Sequence, residues 1–555
     1  MIMKISTILF FILSFAFAIE KQIYSTVQMM DQVQIVNPDN LQIEQSVMTE
    51  FANENSGCMD YDSQMQCNMD DDCMWMDNHC MDSNDSCMDI MDEMSCNMND
   101  GCEWMMNMCM ESESGSCMDY NTEMTCNMSS GCEWMMGMCM ESESGSCMDY
   151  DTEMTCNMAS GCEWMMGMCM ESANGDDVNT PHFIALDEEN GYWFVTTIAS
   201  GYIAQFSLLD NSLIDTYFVG DAPALLVVDA ATKTVYCSRM MPMNGMGNMM
   251  PSAESTIIQS LNYSSMGLSE GVQYEIDSPA PHGLAINHDG SEVYTASNTA
   301  DWLYKINTLT GNIIGVVMDE EVNNTPDQTT QRLKPIQCLS VDNKLFVSCS
   351  AGTWMNPWTG EQTVIPGKLQ MWNSDTMELI DTYDFGNYSS PWHIKESPID
   401  NKIYVSLSGD NLYDTEGVAS LIFSDSELSL EWEVSNNNFE ILHGIDVSSS
   451  GDNIYVSGRG DGHIHKLDSE GNYIDNIFLG SMSMLGGLAI EKKGLPELGD
   501  LNNDFIINVT DIVLSVSIIF NPMMASPYMN YASDLNLDNM IDVVDVVQIV
   551  NLILN

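Results

Sequence analysis

Residues 281–297 read PHGLAINHDGSEVYTAS. A short apolar run, a polar turn built from Asn, Asp and Gly, and a second run carrying Tyr make two strands joined by a tight connection. The pattern returns as LHGIDVSSSGDNIYVSG at 442–458 and as PHFIALDEENGYWFVTT at 181–197. Its opening dipeptide falls at Pro181-His182, Pro223-Ala224, Pro281-His282, Pro335-Ile336, Pro391-Trp392, Leu442-His443 and Leu485-Gly486, at intervals of 42 to 58 residues. Such intervals hold four short strands with variable loops, and a radial array of such units is a β-propeller. Six units are complete in the sequence. The seventh shows only an inner strand, Gly487 to Ile490, so a seventh blade needs strands from elsewhere and the expectation is six to seven.

Stretches such as PHGLA at 281–285 and IYVS at 454–457 make residues 179–495, within a domain spanning 175–495, resemble the YVTN/NHL-like β-propellers, whose repeats carry P-x-G-[IL]-A and [VI]-Y-V-[ST]. That resemblance implies a fold and a surface for interactions, and it implies no single activity. Three histidines, His182, His282 and His443, open inner strands, and His393 stands one residue further along its unit. Inner strands ring a propeller axis, so these four are expected to line the funnel as structural or polar groups, with a metal site as the alternative. No catalytic constellation emerges from the sequence. Cys338 and Cys349 flank a short hairpin, which leaves both a cross-strand disulfide and buried free thiols open.

The flanks have different chemistry. Lys4, the apolar run Ile5 to Phe15 and the small-x-small Ala16-Phe17-Ala18 make residues 1–18 a secretory signal, with 19–57 a linker segment after it. Residues 58–174 hold four repeats of 29 to 30 residues, each with four cysteines: Cys58, Cys67, Cys73 and Cys80; Cys87, Cys96, Cys102 and Cys109; Cys117, Cys126, Cys132 and Cys139; Cys147, Cys156, Cys162 and Cys169. A unit of that size buries too little apolar surface to fold by itself, so two disulfides per unit are expected. Export to an oxidising compartment allows them. Trp75, Trp104, Trp134 and Trp164 each follow the third cysteine by two residues, and 28 of the chain's 50 methionines lie in these repeats. Thioethers are soft ligands, which makes a Cu(I) site a secondary expectation beside a filler or contact role.

Two matched loops close the chain. GDLNNDFIINVTD places Asp500, Asn502, Asp504, Asn508 and Asp511 at loop positions 1, 3, 5, 9 and 12, with the carbonyl of Ile506 at position 7. Asp534, Asn536, Asp538, Asp542 and Asp545, with the carbonyl of Met540, repeat the set thirty-four residues later. Oxygen donors at these steps fold around one Ca²⁺ per loop, and an apolar segment follows each loop as a helix would. Residues 499–555, within a C-terminal domain spanning 496–555, thereby resemble a type I dockerin domain, which implies two Ca²⁺ and docking onto a cohesin-like partner. The sequence departs from that pattern at position 6, where Phe505 and Asn539 replace the usual Gly, and at positions 10 and 11, which read Val509-Thr510 and Val543-Val544.

Charge sets the outer limits. Eighty-two Asp and Glu stand against fifteen Lys and Arg, a formal net charge of −67, with no base between Lys21 and Lys233. Such a surface repels nucleic acid and favours cations. After the leader no segment is long and apolar enough to span a bilayer. The expectation is a mainly β, multidomain exported protein: disulfide-rich small repeats, a propeller and a small α calcium-binding domain. Its function is non-catalytic binding or assembly at the cell surface or outside it. The alternatives are a polysaccharide-binding or -degrading hydrolase and an extracellular Cu(I) binder.

Overall fold

The computed structural model describes residues 22–49 and 179–554, apart from 221, 241–254, 320–324, 357, 411–412, 482 and 539, and the backbone of eight short strands between 73 and 171. Seven four-stranded antiparallel sheets are arranged as blades. Blade 1 runs Pro181–Asp187, Tyr192–Thr197, Tyr202–Ser207 and Leu213–Phe218 from inner to outer edge. Blades 2 to 6 begin on Pro223, Pro281, Pro335, Pro391 and Leu442, the expected dipeptides. Blade 4 carries an inserted hairpin, Gly352–Met355 with Gln362–Ile365.

Blade 7 corrects one expectation. Its inner strand is Leu485–Ile490, and its other three are Ile23–Val27, Gln32–Asn37 and Gln42–Met48. Ile23 faces Ile490 and Tyr24 faces Ala489 across the seam. The segment read as a 19–57 linker is therefore structural over 22–49. It supplies the partner that the lone seventh strand lacked, and ring closure leaves no inner edge exposed. Ile23, Tyr24, Val27, Val33, Ile35 and Val36 are fully buried by it. The blade number is seven.

Apolar side chains fill the spaces between neighbouring blades; between blades 2 and 3 these are Leu225, Ile258, Leu284, Val293 and Tyr304. Two repeated devices fix the inner ring. The residue before every inner strand is left-handed: Thr180, Ala222, Ala280, Lys334, Ser390, Ile441 and Met484 all have φ between 47° and 53°. A hydroxyl on the second strand then reaches the next blade. Thr26, Thr196, Ser238, Ser348, Ser406 and Ser457 donate to the carbonyls of His182, Ala224, His282, Trp392, His443 and Gly486. The Ser/Thr of the repeated motif is thus an inter-blade clasp.

Cys338 and Cys349 are buried free thiols, as is Cys237. Register explains it: Cys338 faces Val347 while Cys349 faces Pro335, so the two are not opposed. Burial pushes both thiols up.

C-terminal to the propeller, helices α1 (Val509–Phe520), α2 (Pro527–Ser533) and α3 (Val543–Leu554) gather around Leu501, Ile518, Ala525, Ala532 and Ile549. Residues 52–177 form a separate unit. In it, each repeat contributes a backbone hairpin such as Cys73–Met76 with His79–Asp82, which sets Trp75 opposite Cys80. The corresponding hairpins set Trp104, Trp134 and Trp164 opposite Cys109, Cys139 and Cys169. The expected disulfides, the methionine side chains of the repeats and the leader lie outside the described residues. Among the described residues no helix is long and apolar enough to cross a membrane.

Candidate functional site: paired oxygen-rich loops and an axial histidine cluster

The four singled-out histidines converge. The ring of His182 lies 5.6 Å from that of His443 and 6.4 Å from that of His282, and His393 lies 4.6 Å from His443, centroid to centroid. All four are buried, with at most 8% exposure, so they form an internal cluster and not the wall of an open funnel. Trp392 and Phe183 pack edge-on or tilted against His443 and His393 and help to close it. Burial pushes every one of these imidazoles down, His393 to about 3, so they are neutral at ordinary pH.

Two tautomers follow from the partners. Blade 3 has Ala296 at the clasp position, facing Gly283, so no hydroxyl serves the carbonyl of Ile336. His282 Nδ1 takes that place at 2.6 Å, and since a carbonyl only accepts, the proton sits on Nδ1. Arg459 donates to Gln28 Oε1, which turns the Gln28 amide N–H toward His182 Nδ1 at 2.7 Å and leaves the His182 proton on Nε2. His393 Nε2 and His443 Nδ1 have no hydrogen-bond partner among the described residues. Among those residues no three His, Cys, Asp or Glu side chains stand together as a metal-holding group.

The C-terminal loops bring their expected residues together in two matching copies. In loop 1 the amide of Asp504 donates to Asp500 Oδ1, that of Ile506 to Asp504 Oδ1, that of Leu501 to Asp511 Oδ1 and that of Asn508 to Asp511 Oδ2. Loop 2 repeats all four with Asp538 to Asp534, Met540 to Asp538, Leu535 to Asp545 and Asp542 to Asp545. Positions 3 and 5 touch in both, Asn502 with Asp504 at 2.7 Å and Asn536 with Asp538 at 2.9 Å. Asn508 Nδ2 also reaches the Ile506 carbonyl at 3.0 Å, so positions 7 and 9 meet.

Electrostatics tests whether a cation suits these loops. Asp511 and Asp545 are fully buried, and Asp500 is 1% exposed. Residues 494–555 contain no Lys, Arg or His. Buried carboxylates without a neighbouring base are unfavourable unless backbone N–H groups or a bound cation offset the charge. A hard cation would take oxygens from Asp, Asn and the position-7 carbonyl together, which is a calcium donor set. The departure at position 6 has a structural counterpart: Phe505 sits at φ +65°, the left-handed region where glycine is usual. Asn539, its counterpart, lies outside the described residues.

Outward faces of the two helices are apolar. Val509, Val513 and Phe520 on α1 and Val543, Val544 and Val547 on α3 are all more than half exposed. A separate crevice of about 500 Å³ lies between blades 5 and 6, lined by Asp414, Glu416, Glu440, Asp461 and His463. Sequence reading missed it, because its acids come from loops and are lost in a chain already full of acids.

The described residues thus define a seven-bladed β-propeller carrying a small helical module with two oxygen-rich loops. No family model matches the chain, and no curated protein matches it. Solved structures show a partial likeness. Virginiamycin B lyase from Staphylococcus aureus is similar at 14% identity and a TM-score of 0.40, covering 56% of this chain and 92% of that one. Hydrazine synthase from Kuenenia stuttgartiensis is similar at 13% and 0.40, covering 53% and 77%. A β-propeller domain from Myceliophteria thermophila is similar at 8% and 0.40, covering 54% and 86%. At these identities and TM-scores they carry no argument about this chain.

Proposed function

We propose that this chain is an exported, non-catalytic binding or assembly protein. Its C-terminal module holds two Ca²⁺ and docks onto a cohesin-like partner, while the propeller presents a second interaction surface. The observation that carries the reading is the duplicated loop with its matched hydrogen bonds, each copy feeding a helix that exposes valines. Asp500, Asn502, Asp504, Asn508, Asp511 and the Ile506 carbonyl would hold one ion. Asp534, Asn536, Asp538, Asp542, Asp545 and the Met540 carbonyl would hold the other. The ions would offset the buried carboxylates and fix the angle between loop and helix. Capture of an immobilised cohesin module by the full chain, with Ca²⁺ and with chelator, tests this. Calcium-dependent capture that is lost on Val513→Asp with Val547→Asp is expected; capture indifferent to both would contradict it.

One observation favours the carbohydrate-active alternative. The crevice between blades 5 and 6 gathers the carboxyl groups of Asp414, Glu416, Glu440 and Asp461, burial raises the Glu416 carboxyl, and a glycosidase works with two carboxyl groups in one cleft. Release of reducing ends from a polysaccharide panel, abolished by Glu416→Gln, would support that reading; no release by the native chain would end it.

A further inference from the structure

The C-terminal module lies against its own propeller. Tyr528 of α2 is 2% exposed and packs with Tyr24 and Val33 of blade 7 and Trp193 and Phe206 of blade 1. A Cβ on Gly191, which has φ +82°, would stand 2.5 Å from the Tyr528 ring, so glycine at this turn is what leaves room for it. The phenol donates to Glu491 Oε1 at 3.2 Å. A second contact comes from loop 1, where Asn503 Nδ2 donates to the carbonyl of Glu188 at 3.4 Å. The Glu188 carboxylate in turn accepts the backbone N–H groups of Lys492 and Lys493, tying the exit from blade 7 to the same turn. Ser265 adds a bond to the carbonyl of Met523.

Loop 1 and loop 2 carry the same residues at positions 1, 3, 5 and 12 but differ at position 4. Asn503 in loop 1 is 7% exposed and meets the propeller, whereas Leu537 in loop 2 is 64% exposed. In loop 1 the ligand positions 500, 502 and 504 alternate with Leu501, which is 3% exposed in the module core, and with Asn503. A change in how the acids of this loop are arranged therefore moves the residues that touch the propeller.

We infer that loop 1 is a calcium-operated clasp that holds the module on blades 1 and 7 through Asn503 and Tyr528, while loop 2 serves the outward face. The inference rests on the calcium reading above. Without a cation, Asp500, Asp504 and Asp511 repel one another, and no base in residues 494–555 opposes the repulsion. Loop 1 then opens, Asn503 leaves Glu188, and the Tyr528 slot loosens. With calcium the module is a rigid part of the propeller, and only the α1 and α3 faces remain for a partner in trans.

Amide hydrogen exchange on the full chain, with calorimetric counting of bound Ca²⁺ on the same samples, tests the clasp. Calcium slows exchange at residues 188–193 by at least about ten-fold in the native chain and in Asp545→Asn, and has no such effect in Asp511→Asn. Asn503→Ala keeps every ligand, so it binds both ions yet loses the calcium-dependent protection; this variant carries the test if Asp511→Asn does not fold. Two bound ions with unchanged exchange at 188–193, or equal effects of the loop 1 and loop 2 variants, would overturn the clasp alone. No calcium binding at all would overturn the calcium reading and the clasp with it.

Discussion

Single residues at the inner ring carry much of the fold. A Cβ on Gly444 would meet the Gly486 carbonyl at 2.7 Å and the Leu488 nitrogen at 2.9 Å, both backbone atoms of the next blade. Gly444→Ala is therefore expected to lower stability by about 2 kcal/mol or more, read from denaturant unfolding. The Ser406 hydroxyl accepts from the His393 amide and donates to the His443 carbonyl, both buried. Ser406→Ala should cost about 1–3 kcal/mol, while Ser269→Ala on the surface should stay within about 0.5 kcal/mol; similar losses for both would contradict the clasp role. The histidines give a pH dependence. Their folded affinities for protons lie below the unfolded value of about 6.5, so the unfolded chain binds more protons as pH falls. The stability they support is whole above that value and declines as pH falls below about 6.5, by about 2 kcal/mol at pH 5 for His393, whose folded value is about 3. Equal unfolding midpoints at pH 7 and pH 5 would sink this reading.

At the scale of elements, the legible parts were those with a repeated local signal. The seven dipeptides named every inner strand because a propeller blade repeats its turn chemistry, and the Asp/Asn spacing could raise a calcium expectation because every position in such a loop is local. Strands 23–48 were not legible. IYSTV and QVQIVN alternate weakly, and the partner that makes them strands, Leu485–Ile490, lies more than 400 residues away. The hydroxyl clasp was visible only as a composition bias, since its acceptor belongs to the following blade. Likewise Tyr528 gave no sign that it fills a slot beside Gly191. Two predictions belong here. A chain starting at residue 50 should lose the cooperative unfolding transition of the propeller, whereas unfolding with the native midpoint would show that blade 7 does not depend on the N-terminal strands. Phe505→Gly relieves a left-handed residue that is 75% exposed and has little packing to lose. It should tighten calcium binding at loop 1 by up to about ten-fold, from about 1 kcal/mol of relieved strain.

For the whole molecule, the net charge of −67 divides by region. The module holds eight acids and no base after Lys493, and six of those acids, Asp500, Asp504, Asp511, Asp534, Asp538 and Asp545, are loop positions 1, 5 and 12. Under the calcium proposal, bound cations would give that part of the charge a purpose. Several of the blades' bases are ion-paired: Lys395 and Lys492 both meet the buried Asp446, and Arg332 meets Asp319. Self-repulsion over the remaining acids predicts a chain that unfolds at higher temperature as salt rises, an effect of screening that exceeds what a neutral propeller would show. The most direct test of the account is a calorimetric titration of the full chain with Ca²⁺. Two ions per chain are expected, with one lost on Asp511→Asn and the other on Asp545→Asn. A chain that binds no calcium, or binds it equally well with both aspartates replaced, would contradict the account.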